Sequence, residues 1–79
     1  MDITYYAGAA DAAGTTTVRL EAGDLTADEL RAHLGAGGES LARVLASCSL
    51  LVDGSPVRDG GTLIPSGARV DVLPPFAGG

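Results

Sequence analysis

The chain has 79 residues, 46% of them hydrophobic, and a net charge of −5 from ten acidic residues and five arginines, with no lysine. A chain of this length buries only about 60–65% of its unfolded surface, which favours one small domain without a deep catalytic cleft. The acidic balance argues against nucleic-acid binding, which needs basic clusters, and a partner with a basic face fits better. The start, "MDITYYAG", has no positively charged region followed by an apolar core, and no apolar run of about 18 residues occurs, so we expect a cytoplasmic protein.

The sequence contains a single cysteine, Cys48. One thiol excludes an internal disulfide, a zinc ribbon and an iron–sulfur cluster, and we predict that the chain holds no metal. Because Cys48 lies between two serines and next to "LLV", we expect a buried structural thiol and not a sulfur acceptor.

The first elements alternate with a period of two. Residues 1–7 place Ile3 and Tyr5 on one face and predict a strand, and "GAADAAG" is interpreted as a connecting loop. Residues 15–22 alternate again, with Val18 and Leu20 on one face. The two segments predict a hairpin.

A helix is predicted at "LTADELRAHL". Thr26 and Glu29 have the spacing of a capping box, and Leu25 and Leu30 that of a hydrophobic staple. Leu30 and Leu34 share one face at i, i+4. The "GAGG" at residues 35–38 should end the helix; it lacks the Lys-Ser/Thr of a phosphate-binding loop and does not follow a strand.

The second half returns to strands after a short helical stripe in "ESLARVLAS". "LLVDGSPV" predicts two strands about an Asp53-Gly54 turn, and residues 68–73 predict a last strand. The order favours an α+β class, with a small mixed sheet of four to five strands covered by one main helix. We assign residues 1–73 to the domain and residues 74–79 to a flexible tail.

The tail "LPPFAGG" has an unusual composition. Pro74 cannot donate to a ladder, so the sheet should end at Leu73 and the chain should leave it straight, with six residues that reach roughly 20 Å. Phe76 is the only phenylalanine and is interpreted either as an interface anchor or as a ring that folds back on its own sheet. Gly78 and Gly79 would let a narrow channel close around bare backbone.

We interpret the tail as presenting the terminal carboxylate of Gly79 for chemical modification. A carboxylate is ionised at neutral pH and is a poor electrophile. Adenylation by ATP would supply a leaving group, after which sulfide could give a thiocarboxylate and a lysine amine an amide.

Combined with this order of strands and helices, the diglycine end is specific enough to indicate a family. The chain resembles the ubiquitin-like β-grasp sulfur carriers of the MoaD/ThiS family along its whole length: the aromatic pair in "TYYAG", the "TADELRAHL" helix, the "LLVDGSPV" hairpin and the "IPSGARVDVLPP" approach. "LPPFAGG" is similar to the Phe-Pro-Pro-x-x-Gly-Gly ending of the molybdopterin synthase small subunits, which favours that branch over the thiamine carriers.

The resemblance implies a sulfur carrier in molybdenum cofactor biosynthesis and not an enzyme. Gly79 would be adenylated and thiocarboxylated by an activating enzyme of the ubiquitin-activator type that uses ATP and Mg, with no cofactor bound to the carrier. The tail from Leu73 through Pro74, Pro75, Phe76, Ala77 and Gly78 would then enter the large subunit of molybdopterin synthase or another sulfur-accepting synthase.

Three positions depart from the family pattern. Leu73 stands where the molybdopterin branch usually has an aromatic residue, and Phe76 where it usually has a small aliphatic one. The basic residue often found in the loop after the first strand is missing, with Asp11 nearby instead. The departures bear on the identity of the partner more than on the chemistry.

Other polar residues have weaker functional signals. His33 lies near the predicted end of the first helix, where a positive charge suits the helix dipole, and no second group is spaced for catalysis with it. Arg58 and Arg69 are interpreted as solvated charges that could face a partner.

Two other classes of function stay open. A ubiquitin-like modifier would use an activated Gly79 to acylate lysines of other proteins, although without lysine the chain could not build lysine-linked chains on itself. A passive β-grasp interaction domain would have incidental glycines. The sequence does not identify the receiving pathway, which could also be that of thiamine, cysteine or a tungsten cofactor.

Overall fold

Residues 1–75 are described by a computed structural model of the chain. In this part the elements are β1 (Asp2–Tyr5), α1 (Gly8–Ala13), β2 (Thr17–Arg19), β3 (Leu25–Thr26), α2 (Ala27–Gly35), α3 (Glu39–Leu45), β4 (Ser49–Val52), β5 (Ser55–Pro56), β6 (Leu63–Ile64) and β7 (Arg69–Leu73).

Five strands form a mixed sheet in the order β2-β1-β7-β4-β5. β1 and β7 are parallel, and the other neighbours are antiparallel. The predicted pairing of the first two strands is confirmed, with Ile3 opposite Val18. β3 and β6 form a separate antiparallel pair. The predicted α+β class with a mixed β-grasp sheet is confirmed.

The core lies between one face of the sheet and the helices. Leu50, Val70 and Val72 have no exposed surface and Ile3 only 1%. The strand register places these four side chains on the same face. Burial of each such side chain stabilises the fold by roughly 1.5–3 kcal/mol. The helices contribute a further set of buried residues: Ala9, Ala27, Leu30, Leu34, Leu41 and Leu45.

The start of α2 has the predicted capping box. The hydroxyl of Thr26 accepts a hydrogen bond from the Glu29 amide at 3.1 Å, and the Glu29 carboxylate accepts one from the Thr26 amide at 2.9 Å. The hydrogen bond from the Thr26 amide to the carboxylate, and after it the interaction with the Thr26 side chain, hold the pKa of Glu29 below its usual range. The helix ends at Gly35, within the predicted "GAGG" stop, and α3 follows where the second helical stripe was predicted.

The interpretation of "GAADAAG" as a loop is wrong, because Gly8–Ala13 forms α1. The carbonyl of Ala7, at φ 50°, accepts bonds from the amides of Ala10 and Asp11, and Gly14 ends the helix at φ 75°. Ala9 is fully buried. Alanine has the highest helix propensity, but six residues are too short to show a helical period, and the flanking glycines suggested a loop.

The prediction that one main helix covers the sheet is therefore also incomplete. α1 and α3 pack on the sheet beside α2, each with residues in the core cluster. The first two strands are shorter than predicted, since β1 ends at Tyr5 and β2 spans only Thr17–Arg19. The Asp53-Gly54 turn is confirmed, with positive φ values of 49° and 86°.

Candidate functional site

The central strand β7 leads directly into the predicted tail. It lies between β1 and β4, and its last residue, Leu73, pairs with Ser49 at the start of β4. Leu73 is half-buried, and its side chain lies on the face opposite Val72, away from the core. The tail thus begins at the middle of the sheet, where the strand is held on both sides.

The two prolines after β7 differ in their surroundings. Pro74 is buried and Pro75 is exposed. Pro74, which the sequence assigns to the tail, therefore packs on the domain. Both prolines line a shallow apolar groove of about 380 Å³, whose other walls come from the start of α1, from α3 and from the turn after α3: Ala7, Gly8, Arg43, Val44 and Ser47.

The remaining tail residues lie outside the described part of the chain. The roles assigned to Phe76, Ala77, Gly78 and Gly79 stay predictions.

The face of the sheet opposite the core forms an amphipathic surface beside this exit, which we call the open face: Tyr6, Ser49, Leu51, Asp71 and Leu73. Tyr6 is 41% exposed, and its hydroxyl donates to the Asp71 carboxylate at 3.4 Å. Its amide donates to the Val72 carbonyl at 3.2 Å, which fixes it at the carboxyl end of β7. Tyr5, the other half of the aromatic pair, is buried in the core.

Sequence reasoning missed the open face as a site. Its members alternate along β4 and β7 with the buried residues Leu50, Val70 and Val72, so the period of two was a usable signal. An exposed aromatic with half-buried aliphatic neighbours is a composition typical of protein interfaces.

Cys48 is buried, as predicted. Its thiol donates to the Val44 carbonyl at 3.2 Å. Burial raises the pKa of the thiol, and the nearby charge of Arg31 opposes that rise only in part. The Arg31 guanidinium donates to the carbonyls of Leu45 and Cys48 at 2.6 and 2.9 Å, and so caps the end of α3.

The polar residues singled out in the sequence are not brought together. His33 lies exposed in the last turn of α2, Arg58 is exposed in the loop after β5, and Arg69 is exposed at the start of β7. Among residues 1–75, no group of three or more histidine, cysteine and acidic side chains is placed to hold a metal ion. In the same part of the chain, no helix has the length and apolar character needed to cross a bilayer.

These features define a ubiquitin-like β-grasp domain with a chain end that leaves from the central strand. A sequence model of the ThiS family matches residues 3–79, so the chain belongs to that family. The predicted membership in the MoaD/ThiS group of β-grasp proteins is confirmed. A direct search of curated protein sequences finds no match.

Solved structures share the fold. The small archaeal modifier protein 1 of Haloferax volcanii is 25% identical, with 95% of each chain covered and a TM-score of 0.79. A putative molybdopterin converting factor subunit 1 from Pyrococcus furiosus is 20% identical, with 94% of each chain covered and a TM-score of 0.76. A complex of subunits 1 and 2 of the molybdopterin-converting factor from Helicobacter pylori matches with 22% identity, 99% of this chain and 96% of the other covered, and a TM-score of 0.71.

Proposed function

We propose that the chain is a sulfur carrier whose Gly79 is adenylated and then thiocarboxylated. It would donate sulfur in molybdopterin biosynthesis as the small subunit of molybdopterin synthase. The observation that carries the proposal is the match of the ThiS family model through Gly79, at the end of a segment that leaves from the central strand.

The chemistry follows from the terminal carboxylate. A Gly79 carboxylate oxygen would attack the α-phosphorus of ATP, and pyrophosphate would leave. Sulfide sulfur would then attack the acyl carbon, forming a C–S bond as AMP leaves with the electrons of the C–O bond. ATP and Mg belong to the activating partner of the ubiquitin-activator type.

The carrier contributes presentation and not catalysis. β7 is hydrogen-bonded on both sides, so the base of the tail has a fixed position and direction. A fixed base lowers the entropic cost of placing Gly79 in a partner's channel. The open face would dock on the activating enzyme and on the synthase large subunit, with Tyr6 as its exposed aromatic.

The choice of the molybdopterin branch rests on the Pro-Pro before the diglycine. The folds of the Pyrococcus furiosus and Helicobacter pylori proteins are compatible with it. A carrier for thiamine or for another sulfur-containing metabolite would use the same activation and differ only in the synthase that accepts the tail.

A second candidate function is that of a protein modifier. The likeness to the small archaeal modifier protein 1, at 25% identity over 95% of the chain, favours it. In that function a lysine amine of another protein, and not sulfide, would attack the activated acyl carbon of Gly79.

Intact mass separates these functions. The chain is incubated with a ubiquitin-activator-type enzyme, ATP, Mg²⁺ and sulfide, in the presence and absence of lysine-containing host proteins. A carrier gains the mass change of one oxygen replaced by sulfur, and a modifier forms conjugates with the host proteins. No change in mass with either acceptor would contradict both functions.

The pathway is identified by the synthase. The thiocarboxylated chain is mixed with a molybdopterin synthase large subunit and the pterin precursor, and with a thiazole synthase and its substrates in a parallel reaction. Sulfur transfer only in the first mixture supports the molybdopterin branch, and transfer only in the second assigns the chain to the thiamine branch.

A further inference from the structure

The chain carries two strong nucleophiles, and both belong to buried residues. It has no lysine, so its amine is that of Met1, and its thiol is that of Cys48. Met1 is 7% exposed and Cys48 is 5% exposed. Hydroxyls stay protonated and weakly nucleophilic near neutral pH, and acylation of the exposed His33 imidazole gives a product that water hydrolyses.

The Met1 amine is held by two backbone carbonyls. It donates to the Leu20 carbonyl at 2.8 Å and to the Ser66 carbonyl at 2.7 Å. The Met1 carbonyl in turn accepts a bond from the Leu20 amide at 2.8 Å. Attack on an acyl carbon would require the nitrogen to leave both carbonyls and the residue to leave the core.

Distance alone does not protect the amine. β1 and β7 run parallel with Asp2 opposite Arg69, so Met1 lies beside Ala68, about 17 Å of strand away from Leu73. The six residues after Leu73 can reach roughly 20 Å. The tail leaves β7 at the end far from Met1 and Pro74 packs on the domain, so the acyl carbon that can meet the amine is that of a second molecule, and burial is what shields the amine from it.

Cys48 lies still nearer to the tail. It precedes Ser49, which pairs with Leu73 at the end of β7. Its thiol donates a hydrogen bond to the Val44 carbonyl near the end of α3. The thiol is thus beside the base of the tail and shielded from it.

We propose that the fold hides every strong nucleophile of the chain from its own activated C-terminus, so that acyl transfer is directed outward to sulfide or to a partner. The inference rests on the proposed function in one respect, because it supposes that Gly79 acquires a leaving group. The prevented step is attack by the Met1 nitrogen or the Cys48 sulfur on the Gly79 acyl carbon. A C–N or C–S bond would form, the leaving group would depart with its electron pair, and the nucleophile's proton would pass to water.

The test uses the chain with Gly79 prepared chemically as a 2-mercaptoethanesulfonate thioester, so that no activating enzyme is needed. Products are followed by intact mass at mildly alkaline pH, and linkage sites are mapped on peptides. The folded wild type should only hydrolyse, whereas the same protein unfolded in guanidinium should form rings or dimers through Cys48 and Met1.

Two exposed positions supply matched controls. Ser47→Cys places a thiol one residue from Cys48 on the surface, and Arg58→Lys places an amine on the surface without a change of charge. Both folded variants should self-acylate at the new residue. Self-acylation of the folded wild type at the rate of the unfolded protein would overturn the proposal, and so would an inert Ser47→Cys variant, because burial would then not explain the protection.

A second measurement needs no thioester. Acetylation of Met1 by an N-hydroxysuccinimide ester should be slower, by roughly tenfold or more, than acetylation of a variant with Gly-Ser added before Met1, since the folded amine reacts only through local opening. Equal rates would contradict the inference. Neither experiment depends on an activating enzyme, so failure of enzymatic thiocarboxylation would count against the proposed function alone.

Discussion

The two faces of the central strand divide the work of the molecule. Val70 and Val72 point into the core and have no exposed surface, whereas Asp71 and Leu73 lie on the open face beside the start of the tail. The inner face determines whether the chain folds, and the open face with the tail determines what a folded chain can do. Substitutions on one side should change stability alone, and those on the other should change chemistry alone.

The largest effect is expected from a substitution on the core-facing side of the sheet. Leu50→Ala removes a fully buried side chain from the strand beside β7 and should lower the free energy of unfolding by about 2–5 kcal/mol, measured by chemical denaturation. Leu63→Ala, at a side chain that is 59% exposed, should change it by less than about 0.5 kcal/mol. Equal losses in the two variants would contradict the assignment of the core.

The next largest effect is expected from changes in the tail, which should abolish function and leave the fold intact. One alanine added after Gly79 moves the carboxylate by about 3.3 Å, and a misplacement of even 1 Å can cost on the order of a hundredfold in rate. Gly78→Val adds a branched side chain where a channel accepts only backbone. We expect both variants to lose thiocarboxylation by intact mass while their Tm matches the wild type.

Gly67→Ala is the matched control for these tail variants, because a Cβ at this exposed loop glycine meets no atom within 4 Å. It should keep both full thiocarboxylation and the wild-type Tm. Full activity in the alanine-extended protein would mean that the position of the carboxylate is irrelevant, and the carrier proposal would have to be given up.

Phe76→Ala tests whether the tail carries an aromatic anchor for the partner. If the ring is an interface anchor, its truncation should cost about 2 kcal/mol, or roughly thirtyfold in affinity for the synthase large subunit, measured by calorimetry. Binding within twofold of the wild type would favour the alternative in which Phe76 folds back on its own domain.

A smaller effect is expected at the start of α2. Thr26→Ala removes the hydroxyl that accepts from the Glu29 amide and should lower the free energy of unfolding by about 1 kcal/mol.

The pKa of Glu29 is lower in the folded state than in the unfolded chain, so the stability that its ionised carboxylate contributes is present above the unfolded pKa and is lost as pH falls through the lower folded value. Acid denaturation of Glu29→Gln should therefore depend less on pH in that range.

Cys48→Ala should have the smallest effect on chemistry, because the transferred sulfur is carried on the Gly79 acyl group and not on a side chain. The variant should form thiocarboxylate to the same extent as the wild type, although it loses the bond to Val44 and some packing. Loss of thiocarboxylate in a variant that is still folded would assign the thiol a direct part in the reaction.

Prediction from sequence succeeded where local chemistry determines the structure. The Thr26–Glu29 spacing predicted the start of α2, and the Asp53-Gly54 pair predicted its turn, because each pattern satisfies its own backbone groups. It failed for α1, whose six residues are held by burial of Ala9, and for the two-residue strands β3 and β6. Those elements depend on partners distant in sequence.

The candidate site was predictable in outline only. The composition of "LPPFAGG" pointed to the tail, and the alternation along β7 contained the open face. The sequence did not predict the burial of Pro74 or the two carbonyls that hold the Met1 amine, because both depend on how distant segments meet.

The parallel pairing of β1 with β7 also orders the folding of the chain. β7 joins the β2-β1 pair to the β4-β5 pair, so a nascent chain without residues 69–73 has two separate ribbons with unpaired inner edges. Contacts between such distant segments form slowly, because a long loop must close before they can be made. A ribosome that stalls before β7 would release an unfolded fragment open to proteolysis, and the folded domain that partners meet is one whose synthesis has already reached the base of the tail.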